Sequence, residues 1–185
     1  MQTRDKIIFE TKKLFLENGV KNVNISSILD NAGVSNGTLF YYFKSKEKLA
    51  LEIYQEIKDE SENYFIDDEM VNMDFRCFII EYWNRNIEWI IQNKLEYKFI
   101  KTFNDSKIVK EKYKINKSTK RFKEKIDHAI ENNEISLENN DIVFKSFIHI
   151  RDTLIEYLFE NEINNISEYE KLSIEMYERF LRFLD

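Results

Sequence analysis

Hydrophobic positions recur every three or four residues along nearly the whole chain, and short polar stretches interrupt them. Ile7, Ile8, Thr11, Leu14 and Phe15 share one face, which predicts a first helix over residues 2–18. Gly19 then stands where a left-handed residue ends a helix, with Val20 placed to meet Phe15 in a Schellman stop. A second helix is predicted over 25–32. Asn24 is its N-cap, Val23 and Ile28 form a hydrophobic staple, and Gly33 ends it with Val34 set to meet Leu29. Ser35 caps a short third helix that ends near Phe43, and Ser45 caps a fourth over 46–65. Only Gly33, Val34 and Ser35 separate the second helix from the third. That tight corner predicts a helix-turn-helix. Ile25, Ile28, Leu29, Leu39, Phe40 and Phe43 are expected to point inward, joined by Leu49 and Ile53.

Farther along, the pattern predicts longer helices over 72–92, 95–104, 107–113, 117–132, 138–160 and 168–184. The 72–92 segment is apolar on two sides, so it is expected at the centre of a second unit. All three glycines fall before residue 38 and proline is absent, which disfavours a turn-rich β fold. The fold class is all-α. A three-helix helix-turn-helix domain over 1–48, linked by the helix over 46–65, precedes a helical domain over 49–185.

Composition supports a folded protein, since 43% of residues are apolar and 15% aromatic. The net charge of −6 argues against a nucleic-acid partner until its distribution is considered. Residues 1–48 hold 8 Lys and Arg against 5 Asp and Glu, while 49–185 hold 20 against 29. A cationic head on an anionic body is what one end meeting a polyanion requires. Cys77 has no second cysteine to pair with, and no apolar run approaches the ~18 residues of a membrane span. No secretory signal pattern is seen at the start, so a cytoplasmic protein with no membrane partner is expected.

The segment Ser35 to Lys46 combines a helix N-terminus, small polar residues, two tyrosines and two lysines. Free helical N–H groups and these side chains suit phosphate oxygens. Asn36 matches an adenine edge, and Thr38 or Tyr41 a thymine methyl. Gly37 costs about 1 kcal/mol against alanine inside a helix, which close approach of the backbone to DNA would explain. A capped surface helix with solvated ends explains the same residues more plainly.

Gly19, Ile28, the run Ala32-Gly33-Val34-Ser35, then Gly37-Thr38-Leu39-Phe40, Tyr42-Phe43, Ser45-Lys46-Glu47 and Leu49 together resemble the N-terminal domain of the TetR/AcrR family of transcriptional regulators. The resemblance covers about residues 5–53 and is nearly gap-free. Val23 stands where that family usually has threonine, Thr11 and Leu29 where it has alanine, and Phe40 where it has tyrosine; these look like repacking of one core. The resemblance implies a bacterial repressor acting as a homodimer through its last two long helices, bound to a double-stranded palindromic operator and released by a small effector. Carried over by position, the DNA contacts are Asn24, Ser26, Ser35, Asn36, Gly37, Thr38, Tyr41, Tyr42 and Lys46.

The C-terminal part shows only the helical pattern of that family, so no effector carries over. Polar or aromatic groups in its apolar helices are the candidates for an effector pocket: Tyr82, Trp83, Asn86, Trp89, Phe103, His149, Arg151 and Tyr157. Ordinary core packing explains the aromatic ones equally well. Arg151 falls beside Phe147, Ile148, Leu154 and Ile155, so burial would oblige an anionic partner, whether an effector carboxylate, a glutamate such as Glu156 or a second subunit. The two histidines are far apart, and no HExxH, CxxC, P-loop or GxSxG motif occurs. An enzyme is not expected, nor a catalytic residue, a metal or a cofactor. An activator or constitutive DNA binder without effector remains open, as does a helical protein-interaction module.

Overall fold

In the computed structural model the chain is described over residues 2–104, 106–112, 117–163 and 166–185, with the backbone alone at 112, 117, 118 and 166–168. Among these residues there are eleven helices and no strand. They are α1 (Thr3–Asn18), α2 (Ile25–Ala32), α3 (Asn36–Tyr42), α4 (Lys46–Phe65), α5 (Asp68–Val71), α6 (Phe75–Gln92), α7 (Lys94–Asn104), α8 (Lys107–Lys112), α9 (Lys117–Glu131), α10 (Asn140–Glu160) and α11 (Ile166–Leu184). Two compact units result. The first comprises the chain up to Ser61 and from Asn93 through α8; the second comprises Glu62–Gln92 and the chain from α9 onward.

In the first unit α1 packs against α2 and α7. Ile7, Thr11 and Phe15 are its buried positions, one per turn of α1. Phe15 stacks on Phe99 at 6.5 Å, and Phe99 stacks on Phe103 at 5.5 Å. Tyr54 joins them from α4, 5.8 Å from Phe103, and donates its hydroxyl to Asn104 Oδ1 at 2.9 Å. Ile28, Leu39, Phe43, Leu49 and Ile53 are buried as the pattern predicts. Phe40 departs from it. The ring is 41% exposed, because α3 has only seven residues and turns one narrow face inward, taken by Leu39.

The helix ends explain the corners. Gly33 is left-handed at φ 63° and ψ 41°, and the Val34 N–H reaches Leu29 O at 3.1 Å, the long bond of a Schellman stop. Gly19 does not repeat it. Its φ of 77° is positive, but its ψ of 148° is extended, so α1 ends with the Gly19 N–H on Phe15 O and with the Asn18 and Asn22 side-chain amides donating to Leu14 O and Asn18 O. Only glycine occupies that region without strain.

The second unit is organised around aromatic rings. Tyr82 on α6 stacks at 4.4 Å on Phe122 of α9, and Phe122 lies 5.0 Å from Phe147 of α10. Phe147 meets Trp83 edge-on at 5.6 Å and Phe180 of α11 at 5.6 Å. Burying each such ring contributes roughly 2–3 kcal/mol, and edge-on or offset pairs add up to ~1 kcal/mol. The helix expected over 72–92 is α6, which begins three residues later at Phe75, and the short α5 before it was not expected. Asp67 caps α5, and Asp74 restarts the chain as α6 by accepting from the Cys77 N–H at 3.0 Å. The end expected at Tyr113 lies outside the described residues. No helix among the described residues is long and apolar enough to cross a membrane.

Candidate nucleic-acid interface and effector site

The α2–α3 corner places a polar surface on the first unit. Asn24 caps α2 by accepting from the Ser27 N–H at 2.8 Å and the Ser27 hydroxyl at 3.0 Å. Ser35 caps α3, accepting from the Thr38 N–H at 3.1 Å, and the hydroxyls of Ser35 and Thr38 lie 2.9 Å apart. Ser26, Asn36 and Gly37 are exposed, and Thr38 is half-buried. Tyr41 is 81% exposed and meets the ring of Tyr42 edge-on at 5.0 Å. An aromatic ring standing that far out of a folded core gains nothing from burial in this chain. Its apolar body is free for another surface, and its hydroxyl for a phosphate.

Gly37 is informative for the opposite reason to Gly33. A Cβ added to it would meet nothing nearer than Ser35 Oγ at 3.8 Å, an ordinary contact. Nothing within the fold requires glycine here, so a requirement, if there is one, comes from outside.

Lys46 begins α4, as the resemblance implied, but its ammonium is turned inward. Nζ donates to Val20 O and to Val23 O, both at 2.9 Å. The neighbouring Glu47 carboxyl is held below the usual carboxylate range, first by its own backbone N–H and then by the Ser45 hydroxyl.

Of the eight residues picked for an effector pocket, the second unit brings four together through α6 and α10. Asn86 is fully buried. Its amide donates to Tyr82 O at 2.8 Å, and its Oδ1 accepts from Arg151 Nη1 at 3.0 Å. Trp83 is buried and donates its indole N–H to Ser173 Oγ of α11 at 2.8 Å. Trp89 is also buried in this unit, edge-on to Phe65 at 5.7 Å. The anionic partner of Arg151 is Asp152, which receives Nε at 3.0 Å and Nη2 at 2.6 Å. Neither that adjacent carboxylate nor Ser173 carries a signal in the sequence pattern. Phe103 belongs to the ring stack of the first unit, while His149 and Tyr157 stand on the exposed side of α10.

Other titratable groups in the second unit serve its frame. Asp67 is held below its ordinary value, chiefly by the Met70 N–H and then by Arg85, whose Nη1 lies 2.7 Å away. Asp74 is lowered by the Cys77 N–H first, and in return raises the Cys77 thiol. Burial pushes the Tyr177 phenol up to about 12. Among the described residues no group of His, Cys, Asp and Glu is arranged to hold a metal ion.

Residues 7–53 match the family described as bacterial regulatory proteins, tetR family. The chain is 42% identical over 53 residues to the HTH-type transcriptional regulator QacR of Staphylococcus aureus, covering 29% of this chain and 28% of that protein. It is 32% identical over 56 residues to the HTH-type transcriptional repressor KstR2 of Mycolicibacterium smegmatis, covering 30% of this chain and 27% of that protein. The matched part thus spans little more than a quarter of either relative. A crystal structure of a TetR family transcription regulator from Marinobacter aquaeolei VT8 superposes over 94% of this chain and 92% of its own, with a TM-score of 0.75 at 16% identity. At that identity the likeness establishes the fold, and it extends through both units.

Proposed function

We propose, from the match of residues 7–53 to the tetR family of bacterial regulatory proteins, that the protein is a DNA-binding transcriptional repressor released from its operator by a small hydrophobic effector. The observation that carries the reading is the exposed face of α3. Asn36, Gly37 and Tyr41 are exposed on a corner capped by Asn24 and Ser35. With Asn24, Ser26, Ser35, Thr38 and Tyr42 they make a surface of the size and chemistry of a major-groove reader.

The same reading makes the protein a homodimer through α10 and α11. Ile142 and Tyr157 on α10, and Ile174 and Phe183 on α11, are exposed apolar groups on helices that pack together. Two helices from each subunit would bury them in a four-helix contact related by a two-fold axis. A two-fold dimer presents two copies of α3 to successive major grooves of a palindrome, about one helical turn apart. The effector would enter among Tyr82, Trp83, Asn86, Trp89 and Arg151 and favour an arrangement of subunits that no longer fits the operator. Such coupling is typically 1–3 kcal/mol and must be reciprocal.

Footprinting on the DNA upstream of the protein's own gene tests this reading. Two protected half-sites related by a dyad and centred one helical turn apart are expected. Uniform protection without half-sites would leave a non-specific DNA binder. An absence of protection at any protein concentration would favour a protein-interaction module instead.

A further inference from the structure

Lys46 occupies a position that is electrostatically unfavourable in isolation. It is the first residue of α4, where the positive end of the helix dipole repels a cation. Its ammonium does not turn out to solvent. It reaches back across the first unit to the turn between α1 and α2, which is 23 and 26 residues earlier in the chain. There it donates to Val20 O and Val23 O, each at 2.9 Å, and Nζ is partly buried.

The two carbonyls bracket the turn that feeds α2. In that turn the Asn22 N–H closes on Gly19 O at 3.2 Å, Val23 is buried, and Asn24 follows as the N-cap of α2. One charge therefore pins both ends of the turn to the start of α4. Hydrogen bonds from an ammonium are roughly twice as strong as neutral ones. They also satisfy two backbone acceptors of the turn. Two of the three N–H donors are spent in this way.

We propose that Lys46 is a positioning residue of the DNA-reading head, a clamp that fixes the entrance of α2, and so the α2–α3 corner, against α4, rather than a neutraliser of phosphate. The DNA arm of the test rests on the proposed function; the other arm does not. In the first arm, Lys46→Met is titrated with sonicated random-sequence duplex DNA across a salt series by fluorescence anisotropy. Removing a phosphate contact lowers the slope of log K against log salt by about one, whereas losing a clamp leaves the slope alone. The clamp predicts an affinity lower by roughly tenfold at every salt concentration, as when about a tenth of the molecules hold the competent corner. A slope reduced by about one, or an unchanged affinity, overturns the proposal.

The second arm uses the unaltered protein without DNA. With lysine side chains labelled with nitrogen-15, the Lys46 ammonium is expected to give a resonance protected from exchange with water at neutral pH. Exchange as fast as that of an exposed lysine overturns the clamp, whatever the variant does. If the unaltered protein binds no duplex DNA, the DNA-binding reading fails on its own, and the ammonium resonance still decides the role of Lys46.

Discussion

The α2–α3 corner of the first unit and the core of the second spend their polar and aromatic residues in opposite ways. In the first, tyrosine and asparagine side chains face outward at the α2–α3 corner, and short helices are held by caps such as Asn24, Ser35 and Ser45. In the second, tyrosine, tryptophan and asparagine turn inward, where Tyr82, Trp83 and Asn86 are almost or wholly buried. A polar group on the outside of a capped corner costs nothing to the fold and is free to meet a partner. One buried among rings must be satisfied within the unit, as Asn86 is by Tyr82 O and Arg151. The first arrangement leaves polar groups open to a partner outside the chain, and the second spends them on its own core.

If this contrast is real, substitutions in the two units should separate stability from binding. The largest effect is expected for Phe147→Ala, which removes a fully buried ring in contact with Tyr82, Trp83, Phe122 and Phe180. A loss of roughly 3–5 kcal/mol is expected in urea unfolding. A loss below about 1 kcal/mol would mean that the ring cluster is loosely packed.

Next comes Asn86→Leu, which strands one Arg151 donor. It should cost about 1–3 kcal/mol by the same assay and change effector response more than DNA affinity. Ser35→Ala removes the α3 cap and should cost about 1 kcal/mol while weakening DNA binding as well, because the cap shapes the reading helix. Gly37→Ala sharpens the contrast further. The fold has room for the methyl group, so stability should rise by up to ~1 kcal/mol while DNA affinity falls.

The smallest effect concerns pH. Asp67 and Asp74 sit below their ordinary values in the folded chain. Their contribution is therefore complete above the unfolded carboxylate pKa and is lost as pH falls through the folded values. Asp67→Ala should flatten the acid limb of the melting temperature against pH while leaving the neutral-to-alkaline limb in shape.

What could be read in the sequence follows the same divide. The corner was legible because local chemistry dictates it: glycine at a left-handed stop, serine or asparagine at a cap, hydrophobic residues on either side. Even there Gly19 misled, since a positive φ is compatible with two values of ψ and only the chain beyond it chooses. Phe40 misled because helical spacing alone does not reveal how narrow the inward face of a seven-residue helix is. In the second unit the spacing gave helices and a ring-rich core, yet the Asp74 cap starts α6 at Phe75 rather than at 72, and the four-residue α5 is too short to carry a periodic signal. Aromatic residues there have identical sequence signatures whether they pack or bind. Phe103 went to the other unit, and His149 and Tyr157 to an exposed face, because partners distant in sequence decide such placements. The inward turn of Lys46 was hidden for the same reason, its acceptors being backbone atoms more than twenty residues away.

The central claim is that the exposed face of α3 reads DNA, and the most direct measurement is anisotropy of a labelled upstream duplex with the unaltered protein and with Tyr41→Ala, each with scrambled competitor across a salt series. The account predicts tight binding by the unaltered protein that resists the competitor and weakens steeply with salt. It also predicts that Tyr41→Ala loses most of that preference while its unfolding free energy stays within about 0.5 kcal/mol of the original. Binding that is insensitive to salt, or equally strong after Tyr41→Ala, would contradict it.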